Sequence, residues 1–142
     1  MSRIIAIDFG RARVGLAVTD SLRITANALA TVKASECIEY IKNYCLSNDV
    51  QTIVVGRPLQ MNGEPSDCQK YITPFIGRLR AALPDKTIDF CDERFTSVLA
   101  HRAIIEAGVP KAKRRNKELV DKTAAVIILQ SYLLERERKD FV

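Results

Sequence analysis

Apolar residues recur along this chain at two different spacings, and the switch between them marks the elements. Arg3 to Asp8 carries Ile4, Ile5, Ala6 and Ile7 without interruption, the pattern of a strand buried on both faces, and it ends in an acid. After Gly10-Arg11-Ala12-Arg13, the stretch Val14 to Thr19 sets Val14, Leu16 and Val18 on one face and the small Gly15 and Ala17 on the other. Two such runs joined by about four residues that include a glycine predict an antiparallel hairpin. A weaker third strand is expected between Ile24 and Val32. Ser35-Glu36 offers an N-cap and a first-turn acid for a helix from Glu36 to Leu46, with Ile38, Ile41 and Cys45 at helical spacing. Thr52 to Val55 reads as a short buried strand. It runs into a loop with Gly56-Arg57-Pro58-Leu59 and the turn residues Asn62-Gly63-Glu64-Pro65. A second helix places Cys68, Ile72, Phe75 and Leu79 on one face, and Pro74 inside it predicts a kink or a late start. Thr87 to Cys91 is a further strand, followed by a third helix capped by Thr96 or Ser97 and ending at Gly108 before Pro110. Asn116 caps the last helix. Its apolar band, in which Val120, Ala124, Ile127 and Leu134 alternate with Leu119, Thr123, Val126 and Leu133, is too wide for an exposed helix.

This order predicts an α/β fold: a mixed five-stranded sheet, three strands antiparallel and then two parallel, flanked by helices. The 142 residues suit a single domain over 1–142, and 47% apolar with 27% charged residues is the composition of a soluble globular protein. The longest apolar run, Ala124 to Leu129, is six residues, against about 20 for a membrane span. The N-terminus lacks the layout of a signal peptide, so no membrane association and a cytoplasmic location are expected. Cys37, Cys45, Cys68 and Cys91 form no C-x-x-C pair and His101 is the sole histidine. Zinc is disfavoured, reduced core cysteines are expected, and histidine-based nucleophilic schemes have little to build on.

The remaining chemistry is carboxylate. Ligands of open α/β sheets bind outside the carboxyl ends of the strands, where Asp8 and Glu93 both lie. Either acid could equally cap a turn. Asp121 lies one turn from Ala124 and Ala125 on a helix whose neighbouring positions are apolar. Its carboxylate either points toward the sheet or compensates the helix dipole. Three carboxylates are hard oxygen donors suited to Mg²⁺ or Mn²⁺, one or two ions, and a two-ion arrangement would serve phosphodiester cleavage. Gly10 to Gly15 resembles a phosphate loop in spacing, but Leu16-Ala17 follows where Lys-Ser/Thr is required. Arg11 and Arg13 read either as phosphate contacts or as an ion pair with Asp20.

The net charge of +5 has one address. Lys111, Lys113, Arg114, Arg115 and Lys117 place five positive charges in seven residues, and the rest of the chain balances to zero. Such a run is either a solvated loop or a grip for a polyanion beside Asp121. No aromatic residue interleaves it, so base stacking is not implied there.

Ile5-Ala6-Ile7-Asp8-Phe9-Gly10 through Arg13-Val14-Gly15-Leu16-Ala17-Val18-Thr19-Asp20, Val54-Val55-Gly56-Arg57-Pro58-Leu59 with Asn62-Gly63, Asp92-Glu93-Arg94-Phe95-Thr96-Ser97, and Val120-Asp121-Lys122-Thr123-Ala124-Ala125 together resemble the YqgF family, also called RuvX. The resemblance spans nearly the whole chain. It implies an RNase H-like fold related to the resolvase RuvC, and nuclease maturation of the 5′ end of the small-subunit ribosomal RNA precursor. It also implies Asp8, Glu93 and Asp121 as the catalytic, metal-holding trio, with Glu93 preferred to Asp92. Arg57 and Ser97 stand where the family often has other residues, and neither position is a metal ligand. Nucleic acid is then the expected partner, RNA or a DNA junction. Arg11, Arg13, Arg57, Arg94, Lys122 and the basic run are the candidate substrate contacts. A nucleic-acid-binding module with little catalysis of its own is an alternative. A phosphotransferase is another, because Asp8-Phe9-Gly10 also resembles the first phosphate loop of sugar kinases, but those folds need two related domains. The periodicity around Pro74 fits either a homodimer contact or the core.

Overall fold

The computed structural model describes residues 2–10, 12–57, 69–92 and 117–140. Strand β1 (Arg3–Phe9) pairs antiparallel with β2 (Arg13–Thr19), which pairs antiparallel with β3 (Ala26–Lys33). On its other edge β1 pairs parallel with β4 (Val50–Arg57), and β4 pairs parallel with β5 (Thr87–Asp92). The sheet order β3-β2-β1-β4-β5 makes β1 the central strand. Its unbroken apolar run follows from that place: Ile4, Ile5, Ala6 and Ile7 are all fully buried because both sheet faces are covered.

Alternation along the strands sorts the side chains. Ile5, Ile7 and Phe9 of β1, with Val14, Leu16 and Val18 of β2 and Ile53 and Val55 of β4, join helices α1 (Cys37–Ser47) and α2 (Gln69–Ala82) in one core. Ile4 and Ala6, with Ala17, Val54 and Cys91, face helix α3 (Lys117–Asp140), which contributes Ala125, Ile128, Leu129 and Tyr132. The small residues Ala6 and Ala17 sit opposite each other in the β1/β2 register. Small neighbours let a helix approach a sheet closely, and Ala125 of the helix joins Ala6 and Ala17 of the strands in this core. Cys37 and Cys91 are buried and Cys45 half-buried, all as free thiols. Burial pushes the Cys37 thiol up to about 12, so it stays protonated and inert. Cys68 lies outside the described residues.

Several boundaries depart from the sequence expectation: β4 spans Val50–Arg57 and not only 52–55, so Gly56 and Arg57, expected in the loop, close the strand. The third strand starts later, at Ala26, and extends to Lys33. Ser35 does not cap α1: it sits within a short 3-10 turn, Ala34–Glu36, and Glu36 is the N-cap without a side-chain hydrogen bond. Helix α2 does not start late, since it begins at Gln69 and runs through Pro74. Pro74 is exposed, whereas Ile72, Phe75 and Leu79 are buried. The bond lost by its missing N–H is therefore on the solvent side, where water can replace it. The expected helix from Thr96 or Ser97 to Gly108 lies outside the described residues, as does the Asn116 cap.

The β1/β2 hairpin carries a steric requirement. A Cβ on Gly10 would lie 2.5 Å from the backbone oxygen of Arg13, a contact that no side-chain rotation relieves. Gly10→Ala is expected to lower stability by about 1 to 3 kcal/mol, the usual cost of overpacking a tight site. Urea denaturation of the two proteins measures it.

Candidate active site

Asp8 is the penultimate residue of the central strand and is half-buried. By alternation with Ile4 and Ala6 it belongs to the face covered by α3. Gly15 lies directly opposite it on β2. On the other side, Ala6 pairs with Val54 and Ile7 with Val55, so the register brings Gly56 beside Asp8 on the same face. Gly56 in turn pairs with Cys91 of β5. The residues directly beside Asp8 on both neighbouring strands are therefore glycines, which carry no side chain at those two positions. A cation that keeps several of its waters needs room beside its ligand.

Helix α3 is aimed at this end of the sheet. Its later residues Gln130, Leu133 and Leu134 line a groove with Ile24, Thr25, Ala26 and Asn27, at the edge where β1 begins. The helix thus runs opposite to β1, and its first turns lie toward the end where β1 finishes. Position 121 falls on the stripe of Ala125, Ile128 and Tyr132, the residues packed on the sheet. The side chain of Asp121 is outside those described; its backbone position lies in the first turns of α3, toward the end where β1 finishes. Tyr132 fixes the register of that helix, donating its hydroxyl to Asp89 Oδ2 of β5 at 2.9 Å. Sequence reasoning missed this bond; an exposed strand aspartate and a helical tyrosine 43 residues apart carry no local signal.

Glu93 follows β5 directly in sequence and, with Arg11, Arg94, Lys111, Lys113, Arg114 and Arg115, lies outside the described residues. Of Arg57, Lys117 and Lys122 only the backbone is described: Arg57 ends β4 beside Asp92, and Lys117 opens α3. Among the described residues no group of three or more His, Cys, Asp or Glu is placed to hold a metal ion.

Arg13 does not pair with Asp20. It begins β2, whereas Asp20 follows the far end of that strand, so the two are about 20 Å apart at 3.3 Å per residue. Asp20 serves the turn after β2 instead, accepting the backbone N–H of Ile24 at 2.7 Å and of Thr25 at 3.1 Å. The Thr25 amide foremost, with the Ile24 amide and the more distant charge of Arg3, holds its carboxyl below the usual range. Arg13 itself, alternating with Gly15 and Ala17, lies on the α3 face at the Asp8 end. Lys33 is its cross-strand partner on β3 and is exposed; it was not singled out in the sequence.

The profile of the RuvX family, described as Holliday junction resolvases, matches residues 2–135. A Bacteroides fragilis protein provisionally named a pre-16S rRNA nuclease is 53% identical over 133 residues, covering 94% of this chain and 96% of its own. A Porphyromonas gingivalis protein of the same name is 49% identical over 138 residues, covering 97% and 100%. Among solved structures, Thermus thermophilus RuvC in complex with a Holliday junction substrate shares the fold with a TM-score of 0.54 at 16% identity, over 96% of each chain. The fold is thus RNase H-like, and the chain belongs to the RuvX family.

Proposed function

We propose that this protein is a divalent-metal-dependent nuclease that hydrolyses phosphodiester bonds of structured RNA, processing the 5′ end of the 16S ribosomal RNA precursor in the cytoplasm. One observation carries the reading: Asp8 stands at the end of the central strand between two glycines, on the face and at the sheet end toward which α3 brings Asp121. Relatives at about half identity over nearly their whole length are named for that reaction.

Asp8, Glu93 and Asp121 would hold Mg²⁺ or Mn²⁺, because an all-carboxylate donor set suits hard cations. Ions bound there supply a water nucleophile at neutral pH and compensate charge on the leaving oxygen. Asp8 sits on the central strand of the sheet, so its backbone is already in place when an ion binds. Arg13 on the same face attracts the substrate backbone, and Arg11, Arg57, Arg94, Lys122 and the run from Lys111 to Lys117 extend that attraction. Three acids alone would repel a polyanion; the cations around them reverse the local field.

The test is a cleavage panel in Mg²⁺ and Mn²⁺ with precursor rRNA fragments, unstructured RNA and four-way DNA junctions. Preferential cleavage of the rRNA precursor is expected. Preference for the junction would make the chain a DNA resolvase, and metal-dependent turnover on none of them would overturn the nuclease reading. Among the described residues no helix is long and apolar enough to cross a membrane.

A further inference from the structure

A cleft of about 600 Å³ opens between the turn that leads into α1 and the first turns of α2. Its inner side is Phe9, the last residue of β1, almost wholly buried and packed in the core with α1 and α2. Phe9 follows Asp8 directly, so their Cα atoms are about 3.8 Å apart while their side chains lie on opposite faces. The cleft and the strand-end carboxylate therefore occupy the two sides of one strand end. The turn into α1 is tied to the same end, since Ala34 donates its backbone N–H to the Ala12 carbonyl of the β1/β2 hairpin at 2.9 Å.

The lining combines two chemistries. Tyr71 and Pro74, three residues apart on α2 and so neighbours on its surface, form an apolar and partly aromatic wall that Ile38 continues on α1. The polar groups are the exposed Ser35 and Arg78, and among the described lining residues none is acidic. A helical arginine commonly meets an acid three or four residues away, but positions 74, 75, 81 and 82 are Pro, Phe, Ala and Ala. Along its whole length α2 carries Lys70, Arg78 and Arg80 and no acid. Among the described residues no carboxylate reaches the Arg78 guanidinium.

A ligand with a flat ring and a negative charge satisfies both chemistries at once. Aromatic walls stack bases of any identity, and the planar guanidinium fork grips phosphate through parallel hydrogen bonds. The volume falls in the range of about 300 to 1,000 Å³ common for small-molecule sites. RNA is read chiefly through nucleotides that leave the stack, and a strand cut at Asp8 passes this end of the sheet. We propose that the cleft binds one unstacked nucleotide of the RNA substrate, its base on the Tyr71 and Pro74 wall and its phosphate on Arg78. The subsite rests on the reading of the substrate as RNA. It deepens that reading by assigning a preference for an unpaired nucleotide near the cut over uninterrupted duplex.

Mononucleotides test the cleft without cleavage. In heteronuclear NMR spectra of wild type, AMP and UMP at millimolar concentration are expected to shift the amide signals of Ser35, Ile38 and Arg78. Adenosine, which lacks the phosphate, should bind about three- to tenfold more weakly than AMP to wild type and as tightly as AMP to Arg78→Gln. Arg80→Gln removes an exposed charge of α2 that does not line the cleft, and should leave the wild-type ratio unchanged. Tyr71→Leu should weaken AMP and adenosine alike, with Tyr71→Phe restoring both; thermal melting verifies each fold. With an RNA hairpin bearing a single-stranded extension, Arg78→Gln should raise KM and the dissociation constant by the same factor at unchanged kcat. Removing the base of one nucleotide near the cut should weaken wild type and leave Tyr71→Leu indifferent. Absence of shifts at the cleft, or equal AMP affinity for wild type and Arg78→Gln, would overturn the subsite and leave wild-type cleavage as the separate test of the nuclease reading. AMP binding that needs Arg78, with RNA binding indifferent to it, would overturn the assignment to the substrate. AMP and RNA binding that both need Arg78, without any cleavage, would sustain the subsite and remove the nuclease reading.

Discussion

Asp8→Asn is expected to lower RNA cleavage by on the order of 10³-fold or more while leaving the thermal midpoint within a few degrees of wild type. The substitution replaces one oxygen by an amide of the same shape, so the half-buried site on β1 keeps its packing. What changes is charge. An amide is a weak ligand for a hard divalent cation, and the remaining acids no longer share it with a strand-end carboxylate. With Glu93 and Asp121 beside it, as proposed, loss of one negative charge would also relieve mutual repulsion, so stability is not expected to fall with activity. The diagnostic is the dissociation of the two readouts: single-turnover cleavage in Mg²⁺ collapses while melting and RNA affinity in the absence of metal are preserved. Retention of the wild-type rate would remove Asp8 from the chemistry. A parallel collapse of the melting temperature would assign it a structural role instead.

The part of this site visible in the sequence is the part that periodicity encodes. Ile4 to Ile7 reads as a doubly covered strand with Asp8 at its carboxyl end, because four successive apolar residues leave neither face of a strand for solvent. The hairpin followed from Gly10 and the alternation in Val14 to Val18. Relations between strands were hidden, because they depend on register. Arg13 and Asp20 look close when counted along the chain, yet an extended strand carries them to opposite ends of the sheet. Lys33 looks like a solvated residue after a weak strand until pairing with Arg13 puts it on the Asp8 face. Ser35 resembled a helix cap, but the chain first turns through a 3-10 segment, so its hydroxyl falls one position too early. Glycines 15 and 56 gave a local signal of smallness only. Their meaning, positions without a side chain on either side of one carboxylate, arises from two separate pairings.

The largest effect on stability is expected at Phe75, which couples α2 to the strand that carries Asp8. Its side chain is fully buried, and its ring lies 4.7 Å from that of Phe9 at an interplanar angle of 37°. Phe9 is the residue after Asp8 and points to the opposite face, into the core with Val14, Ile72 and Leu79. Truncating a buried phenylalanine costs about 3 to 5 kcal/mol through lost burial and the cavity left behind. Aromatic contact adds a further share to that loss. For a chain of 142 residues this corresponds to a fall of about 10 to 20 °C in the melting midpoint of Phe75→Ala. That is a large fraction of the typical 5 to 15 kcal/mol of a folded domain. Phe75→Leu keeps most of the volume and should recover about half of the loss. The consequence for chemistry is distinct from that of Asp8→Asn. With Phe9 unsupported, the end of β1 gains freedom, so Phe75→Ala should lower kcat even at temperatures where the protein remains folded, and Phe75→Leu should restore rate and stability together. If the rate at 20 °C were unchanged while the midpoint fell as expected, the core under Phe9 would stabilise the sheet without positioning Asp8.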